Sequence, residues 1–302
     1  MRVAVAATPE VALPTLEWLL TSDHTLVQVI SQPDKPSGRG QQLHSSAVSQ
    51  WAKTQEIPLL TPSTIDDLDD ALVGLDLLIT IGYGRILPTT TLSIPKHGCI
   101  NLHFSLLPAY RGAAPVQRAI ESGQVQTGVT VFALDAGMDT GPIYTAVAVP
   151  IESRMRSFEL LKELSIVGVG AVRDTLRAIE NGTPPTPQEG AISFAPKITR
   201  GEALLDWNTA SNDLVNKIRA FYPQPQAWTT FRGQPLNISQ AKMVNAEILL
   251  KPGELSTHGS QCLIGTSDGA IILERVTPAG KKEMSALDWS RGARFGNAEH
   301  CG

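Results

Sequence analysis

In its first half the chain alternates short apolar, β-branched runs with stretches of helical periodicity. RVAVAA precedes a helical pattern over residues 11–20, TLVQVIS precedes another over 47–54, and LDLLITIG and GCINLHF read as two further strands. Continuous apolar strands separated by helices predict an α/β fold with a mostly parallel sheet covered on both faces. Sheets of that kind bind ligands beyond the carboxyl ends of their strands. Polar or glycine-rich stretches fall at those ends: TPE, QPDKPSGRGQQL, GYGRILP and HFSLLPAYRG. The chemistry is expected there.

The second half changes character. Residues 157–181 carry a helical pattern that stops at Asn181-Gly182, and TPPTPQEG then reads as an extended linker. After LLDW and a helix with Leu214, Val215, Ile218 and Phe221 on its apolar face, short alternating runs (AWTTF, LNISQAKMV, QCLIGTS, AIILERV) predict a small antiparallel β domain, an open barrel. The expected organisation is a first domain over 1–182, a linker over 183–205 and a β domain over 206–302. At 302 residues and 42% hydrophobic the chain can bury two such cores. A net charge of −4 gives no global argument for a nucleic-acid partner, so any polyanion must meet a local patch. Three cysteines, Cys99, Cys262 and Cys301, are too few and too far apart for a disulfide framework or a CxxC metal site, and are expected as reduced thiols. The opening run breaks at Thr8-Pro9, too short for a signal-peptide core, and no apolar segment of about 18 residues occurs, so a cytoplasmic protein is expected, neither secreted nor membrane-spanning.

Asn101 and His103 stand two positions apart at the end of an apolar run, so on a strand they share one face while Ile100 and Leu102 share the other. A histidine at a strand end is commonly a satisfied hydrogen-bonding residue. The pair, however, leads straight into a loop of prolines, small residues and an Arg-Gly that can bring backbone close to a ligand. Thirty-six positions beyond His103, LDAGMDTGPIY holds Asp139 between glycines 137 and 141, where a carboxylate could orient the imidazole or make an Asx turn. An Asn, a His and an Asp together suit acyl transfer to an amine without a covalent enzyme intermediate. Amide and imidazole N–H groups bind the developing oxyanion, and the carboxylate accepts or relays the amine's proton. A Ser-His-Asp triad fits poorly, because GxSxG is absent and Ser105 lies two residues after His103 on the same element. The six histidines show neither HxxxH nor HxH spacing, and no metal is expected.

INLHFSLLPAYRGAAPVQRAI together with TGVTVFALDAGMDTGPIY resembles the folate-dependent formyltransferases. The likeness continues through QPDKPSGRG, GYGRILP, IPKHGCINLH, AISFAPKIT, LDW, IRAFYPQPQAW and GKKEMSALDW, nearly the whole chain. It implies a Rossmann-like formyltransferase domain followed by a five-stranded, OB-like β-barrel. By that resemblance the catalytic groups fall on Asn101, His103 and Asp139. Folate-binding positions fall on Ser105, Leu106, Leu107, Pro108 and Ala109, with Arg85, Ile86 and Leu87 holding the pterin through the backbone. The resemblance also implies that the loop carrying Arg39 between Gly38 and Gly40 approaches a tRNA acceptor end. Two departures stand out: Ala7 where many relatives carry Gly, and Gln41 and Gln42 where they carry Lys or Arg.

The activity so implied is transfer of the formyl group of 10-formyltetrahydrofolate, a co-substrate, to the α-amino group of methionyl-initiator tRNA by a monomeric enzyme. Alternatives are a formyltransferase acting on an amino sugar or other small amine, a hydrolase of formyltetrahydrofolate, and a non-catalytic RNA- or folate-binding module. From Asp206 onward ten Lys or Arg stand against nine Asp or Glu, about +1, so RNA binding by this part is implied by the resemblance alone. Lys281 and Lys282, with Arg291 and Arg294 shortly after, are the local cations that could track phosphates. Trp228 and Trp289 lie in apolar patterns and are expected to pack rather than stack on bases.

Overall fold

The computed structural model describes residues 1–37, 42–244, 248–296 and 299–302. They form two compact units. One comprises Met1–Pro115, Gln126–Pro150 and Leu161–Pro196; the other comprises Val116–Val125, Ile151–Leu160 and Lys197–Gly302.

The first unit is built on seven strands, β1 (Arg2–Ala7), β2 (Thr25–Ile30), β5 (Leu59–Leu60), β6 (Leu77–Ile81), β7 (Cys99–His103), β8 (Gln126–Ala133) and β9 (Ile143–Pro150). A two-stranded antiparallel ribbon, β3 (Lys35–Ser37) with β4 (Gln42–His44), leaves the sheet after β2. The sheet order is β5-β2-β1-β6-β7-β8-β9, parallel as far as β7 and antiparallel from β7 to β9. Helices α1 (Leu13–Leu20), α2 (Ala47–Thr54), α3 (Ile65–Leu72) and α4 (Thr89–Leu92) fill its connections, while α5 (Pro115–Glu121) falls almost wholly, and α6 (Ser157–Glu180) in its first turn, within the second unit. Every residue of β6 is buried, the pattern of a strand covered on both faces. One core cluster joins Ala4, Ala6, Ile30, Leu68, Leu72, Leu78 and Cys99.

The chain leaves β1 toward β2 on one side and later returns to β6 on the other, so the carboxyl ends of β1 and β6 form the switch point of the sheet. There Gly82 adopts φ +56°, and a Cβ on it would lie 2.7 Å from Pro9 Cγ, so the close approach of the two strand ends requires glycine. Ala7 is fully buried at the end of β1.

The proline-rich stretch expected as a linker is ordered along its length. Thr186 exchanges two backbone hydrogen bonds with Ile143 at 2.7 and 2.8 Å, and Arg111 pairs with the 193–195 segment. Residues 183–196 therefore extend the first unit, and 197–205 belong to the second, where Leu205 N donates to Trp228 O.

The second unit centres on an antiparallel sheet of β10 (Trp228–Phe231), β11 (Gln234–Met243), β12 (Leu255–His258), β13 (Gln261–Thr266) and β14 (Gly269–Pro278), in the order β10-β11-β14-β13-β12, with the two-residue β15 (Met284–Ser285) beside β14. Helices α7 (Ser211–Ala220) and α8 (Ala286–Ala293) complete it, and their Leu214, Ile218 and Trp289 join Ile238, Ile264 and Leu273 in its core. The last residues bridge the two edges of this sheet. Gly302 N donates to Thr230 O, Cys301 N to Gly253 O, and Leu255 N to Glu299 O, at 2.8–3.0 Å. Removal of residues 299–302 is expected to expose both edges and lower the melting temperature of the full chain by about 4–8 °C per kcal/mol of stability lost by a unit of this size, read by calorimetry.

Trp289 is buried against Phe231 and Phe295, as packing predicts. Trp228 donates its indole N–H to Arg200 O at 2.9 Å and lies beneath the Arg200 guanidinium. The three cysteines are buried thiols, each pushed up to about 12 by burial, so none is a ready thiolate. Among the described residues no helix is long and apolar enough to cross a membrane.

Candidate active site

β7 brings Asn101 and His103 to the carboxyl end of the sheet on one face, half-buried and buried respectively. Two loops close over them. The first follows β7 and turns back at Tyr110, which holds φ +60°; its carbonyl sits 3.0 Å from His103 Nε2. A carbonyl only accepts, so Nε2 carries the hydrogen and Nδ1 is the ring atom left for chemistry. The second loop, between β8 and β9, carries Asp139 at φ +55°, with Oδ2 2.7 Å from Gly112 N–H and 3.8 Å from His103 Nδ1. The carboxylate is thus at ion-pair distance from Nδ1, beyond a hydrogen bond.

The Asx turn in this loop belongs to Asp135, whose Oδ1 accepts from Gly137 N at 3.0 Å and from Thr140 Oγ1 at 2.6 Å. Asp139 is left to face His103. Gly141 lets the loop return to the sheet, since a Cβ there would lie 1.7 Å from Ala133 O.

Burial of the imidazole pushes the His103 pKa below its ordinary value of 6.5, because the surroundings solvate a charged ring poorly. The Asp139 charge and the Tyr110 carbonyl oppose that shift. The ring is neutral near pH 7, with its lone pair on Nδ1. Phe132 meets it edge-on at 6.4 Å between centroids. Asn101 Oδ1 accepts from Thr80 Oγ1 at 2.7 Å, which leaves the NH2 end on the cavity side.

Asn101, His103 and Asp139 line one cavity of about 480 Å³, together with Thr80, residues 82–87, Gly112, Ala113 and Pro115. Arg85, Ile86 and Leu87 border the same cavity. The Arg85 guanidinium reaches away to the carbonyls of Pro62 and Thr64, while Ile86, 84% exposed, and Met138, 55% exposed, form an apolar mouth. The 105–109 segment does not line it. Ser105 is fully buried with its hydroxyl donating to Ala109 O at 2.6 Å, and Thr130 Oγ1 ties the Ser105 carbonyl to the Leu107 N–H beneath the loop. Ser105 has no contact with His103 that would make it a nucleophile.

Sequence reasoning missed four contributors: Thr80, the Tyr110 carbonyl, the Gly112 N–H and Gln188. Gln188 Nε2 donates to the carbonyls of Asp139 and Gly141 at 2.9 and 2.8 Å, while its Oε1 accepts from Arg111 Nη2 at 2.6 Å. The stretch TPPTPQEG thereby braces the Asp139 loop. Thr80 had a sequence signal in a hydroxyl inside the apolar run LLITIG, and Gly112 in the Arg-Gly of the loop that follows His103. Among the described residues no group of His, Cys, Asp or Glu could hold a metal ion.

In the second unit a cavity of about 860 Å³ is lined by Arg154, Arg156, Arg219, Lys242 and His258; Arg154 and Lys242 pair with Glu274 at 2.7 and 3.0 Å, and Arg156 with Glu159 at 2.8 Å. Arg219 is buried, and the partners of its guanidinium are the Asn216 side chain and the carbonyls of Glu152 and Met155, all neutral. Lys281 and Lys282 are exposed in the turn between β14 and β15. Arg39 and Gln41 lie outside the described residues.

Residues 1–165 match the family described as formyl transferase, and residues 197–294 match the formyl transferase C-terminal domain. A methionyl-tRNA formyltransferase of Salinispora tropica is 41% identical over 301 residues, 97% of each chain. Among solved structures, the sugar 3N-formyl transferase WlaRD, in the presence of dTDP and 5-N-formyl-THF, shares the fold with a TM-score of 0.70 at 19% identity, over 93% of this chain and 99% of that one. The methionyl-tRNA formyltransferase of Clostridium thermocellum shares it with a TM-score of 0.59 at 16% identity, over 82% and 95%.

Proposed function

The chain belongs to the formyl transferase family, and from that premise we propose that it transfers the formyl group of 10-formyltetrahydrofolate to the α-amino group of methionyl-initiator tRNA. The observation that carries this reading is the convergence of Asn101, His103 and Asp139 on one cavity in which no serine or cysteine is poised as a nucleophile. Direct attack by an amine needs no such nucleophile.

The folate supplies a formyl group already activated as an amide of N10. The cavity suits a flat fused ring in volume, in its apolar mouth and in the glycine-bearing backbone of the 82–87 segment. The Asn101 NH2 donates to the formyl oxygen as it gains negative charge. His103 Nδ1 takes the proton that the attacking amine must lose, and Asp139, 3.8 Å away, stabilises the imidazolium so formed. The protonated Nδ1 then returns that proton to the folate nitrogen as the C–N bond breaks. An α-amine titrates near 8, and aminoacylation lowers that, so a useful neutral fraction exists near pH 7. The demand on the enzyme is chiefly placement and oxyanion binding.

For the tRNA, Arg39, Lys281 and Lys282 are proposed phosphate contacts. In the cavity of the second unit Arg219 has only neutral partners, a local positive charge that supports a polyanion partner for a chain whose net charge is −4. The test is a formylation assay with 10-formyltetrahydrofolate and charged initiator tRNA, run beside free methionine, an amino sugar and no acceptor. Product is expected with the charged tRNA alone, with an apparent KM that rises steeply with salt. Formylation of the amino sugar instead, or formate release without any acceptor, would overturn the reading.

A further inference from the structure

We propose that Thr80 is a positioning residue that decides which way round the Asn101 carboxamide is held, an inference that rests on the formyl-transfer reading above. A carboxamide is nearly symmetrical in shape, so its two orientations fill the same space but present opposite charge. With NH2 toward the reacting carbonyl, Asn101 stabilises the developing oxyanion. Turned over, it presents a carbonyl dipole of the wrong sign.

The neighbour that can tell the two apart is Thr80. Its hydroxyl, on a residue 5% exposed at the next strand, lies 2.7 Å from Asn101 Oδ1 and 3.1 Å from Ile100 O. The hydroxyl has one hydrogen and these two acceptors. Asn101 Oδ1 is the nearer acceptor, at 2.7 against 3.1 Å, so Thr80 is the donor and the Asn101 oxygen the acceptor of this contact. Thr80 also has little freedom to turn away. It is β-branched, which restricts χ1, and lies in β6, whose residues are all buried. The NH2 end of Asn101 is therefore turned toward the cavity before substrate arrives, as an oxyanion donor must be to act without reorganisation.

The test is a double-mutant cycle on the full chain. Thr80→Val removes the hydroxyl at nearly constant shape and is expected to lower kcat by about 3- to 10-fold, the range spanned by one intramolecular hydrogen bond, with KM for both substrates unchanged. Thr80→Ser keeps the donor and is expected to restore kcat. In an Asn101→Ala background Thr80→Val is expected to have no further effect, because there is no amide left to orient. An unchanged kcat in Thr80→Val, or the same loss with and without Asn101, overturns the inference while leaving the formyl-transfer reading intact. A fully active Asn101→Ala overturns the reading of Asn101 and the inference with it. A lower melting temperature in Thr80→Val with the Asn101-dependent loss absent assigns Thr80 a packing role only.

Discussion

Replacing His103 with alanine is expected to lower kcat by about 10²- to 10⁴-fold, the span that a positioned general acid–base group supplies. The Nε2 hydrogen is held by the Tyr110 carbonyl, so in the proposed mechanism Nδ1 is the nitrogen that would exchange protons with the substrate. Burial lowers the His103 pKa from 6.5, so the neutral, proton-accepting ring survives as the pH falls below 6.5 and is lost only at lower pH. The parent profile of kcat against pH should therefore contain an acid limb below 6.5 that is missing in His103→Ala. In Asp139→Asn the limb should move still lower, because the Asp139 charge raises the His103 pKa and its removal leaves burial less opposed. The same lowered pKa has a stability consequence of definite sign. Below 6.5 the unfolded chain binds a proton at this site before the folded one does, so stability falls as the pH drops through that window. The measurement is kcat from pH 5 to 8 for the three proteins, with melting temperatures to separate folding from chemistry. An acid limb that persists unchanged in His103→Ala would remove the ring from proton transfer.

Asn101→Ala is expected to cost about 10²- to 10³-fold in kcat, the loss found when one preorganised oxyanion donor is removed. The effect should fall on kcat and spare KM, because the NH2 gains most when the formyl oxygen becomes negative, whereas the ground-state carbonyl binds it weakly. The side chain is half-buried at the cavity wall, so its truncation leaves the opposite face of β7, packed through Ile100 and Leu102, in place. Single-turnover transfer with both substrates saturating reads the step directly. A rate close to the parent's would take Asn101 out of the mechanism, and a raised KM with normal kcat would make it a binding group instead.

Much of this was legible in one dimension because local rules carried it. The period-two spacing of Asn101 and His103 put them on one face of β7, and the apolar runs before them marked the parallel strands. The motif TGVTVFALDAGMDTGPIY spans β8 and only the start of β9, and the place of this antiparallel pair beside β7 depends on register across the sheet, which no local pattern encodes. TPPTPQEG read as a linker because prolines suppress periodicity. Its backbone hydrogen bonds to Ile143, and the reach of Gln188 to the Asp139 loop, come from partners more than forty residues away. Likewise both Asp135 and Asp139 suit an Asx turn by composition, and the fold gave that turn to Asp135.

The amino-acid sequence by itself determined the α/β and β halves, the strand that carries Asn101 and His103, and the resemblance that brought Asp139 to them. Those follow from side-chain periodicity and from motifs contiguous in the chain. Tertiary structure alone decided the working state of the site. It set the burial that keeps His103 neutral and the Tyr110 carbonyl that selects Nδ1. It also brought Thr80 within 2.7 Å of Asn101 and placed Gln188 behind Asp139. Each of these is a matter of solvation or of hydrogen-bond partnership between groups distant in sequence, and such partnerships exist only once the chain has folded.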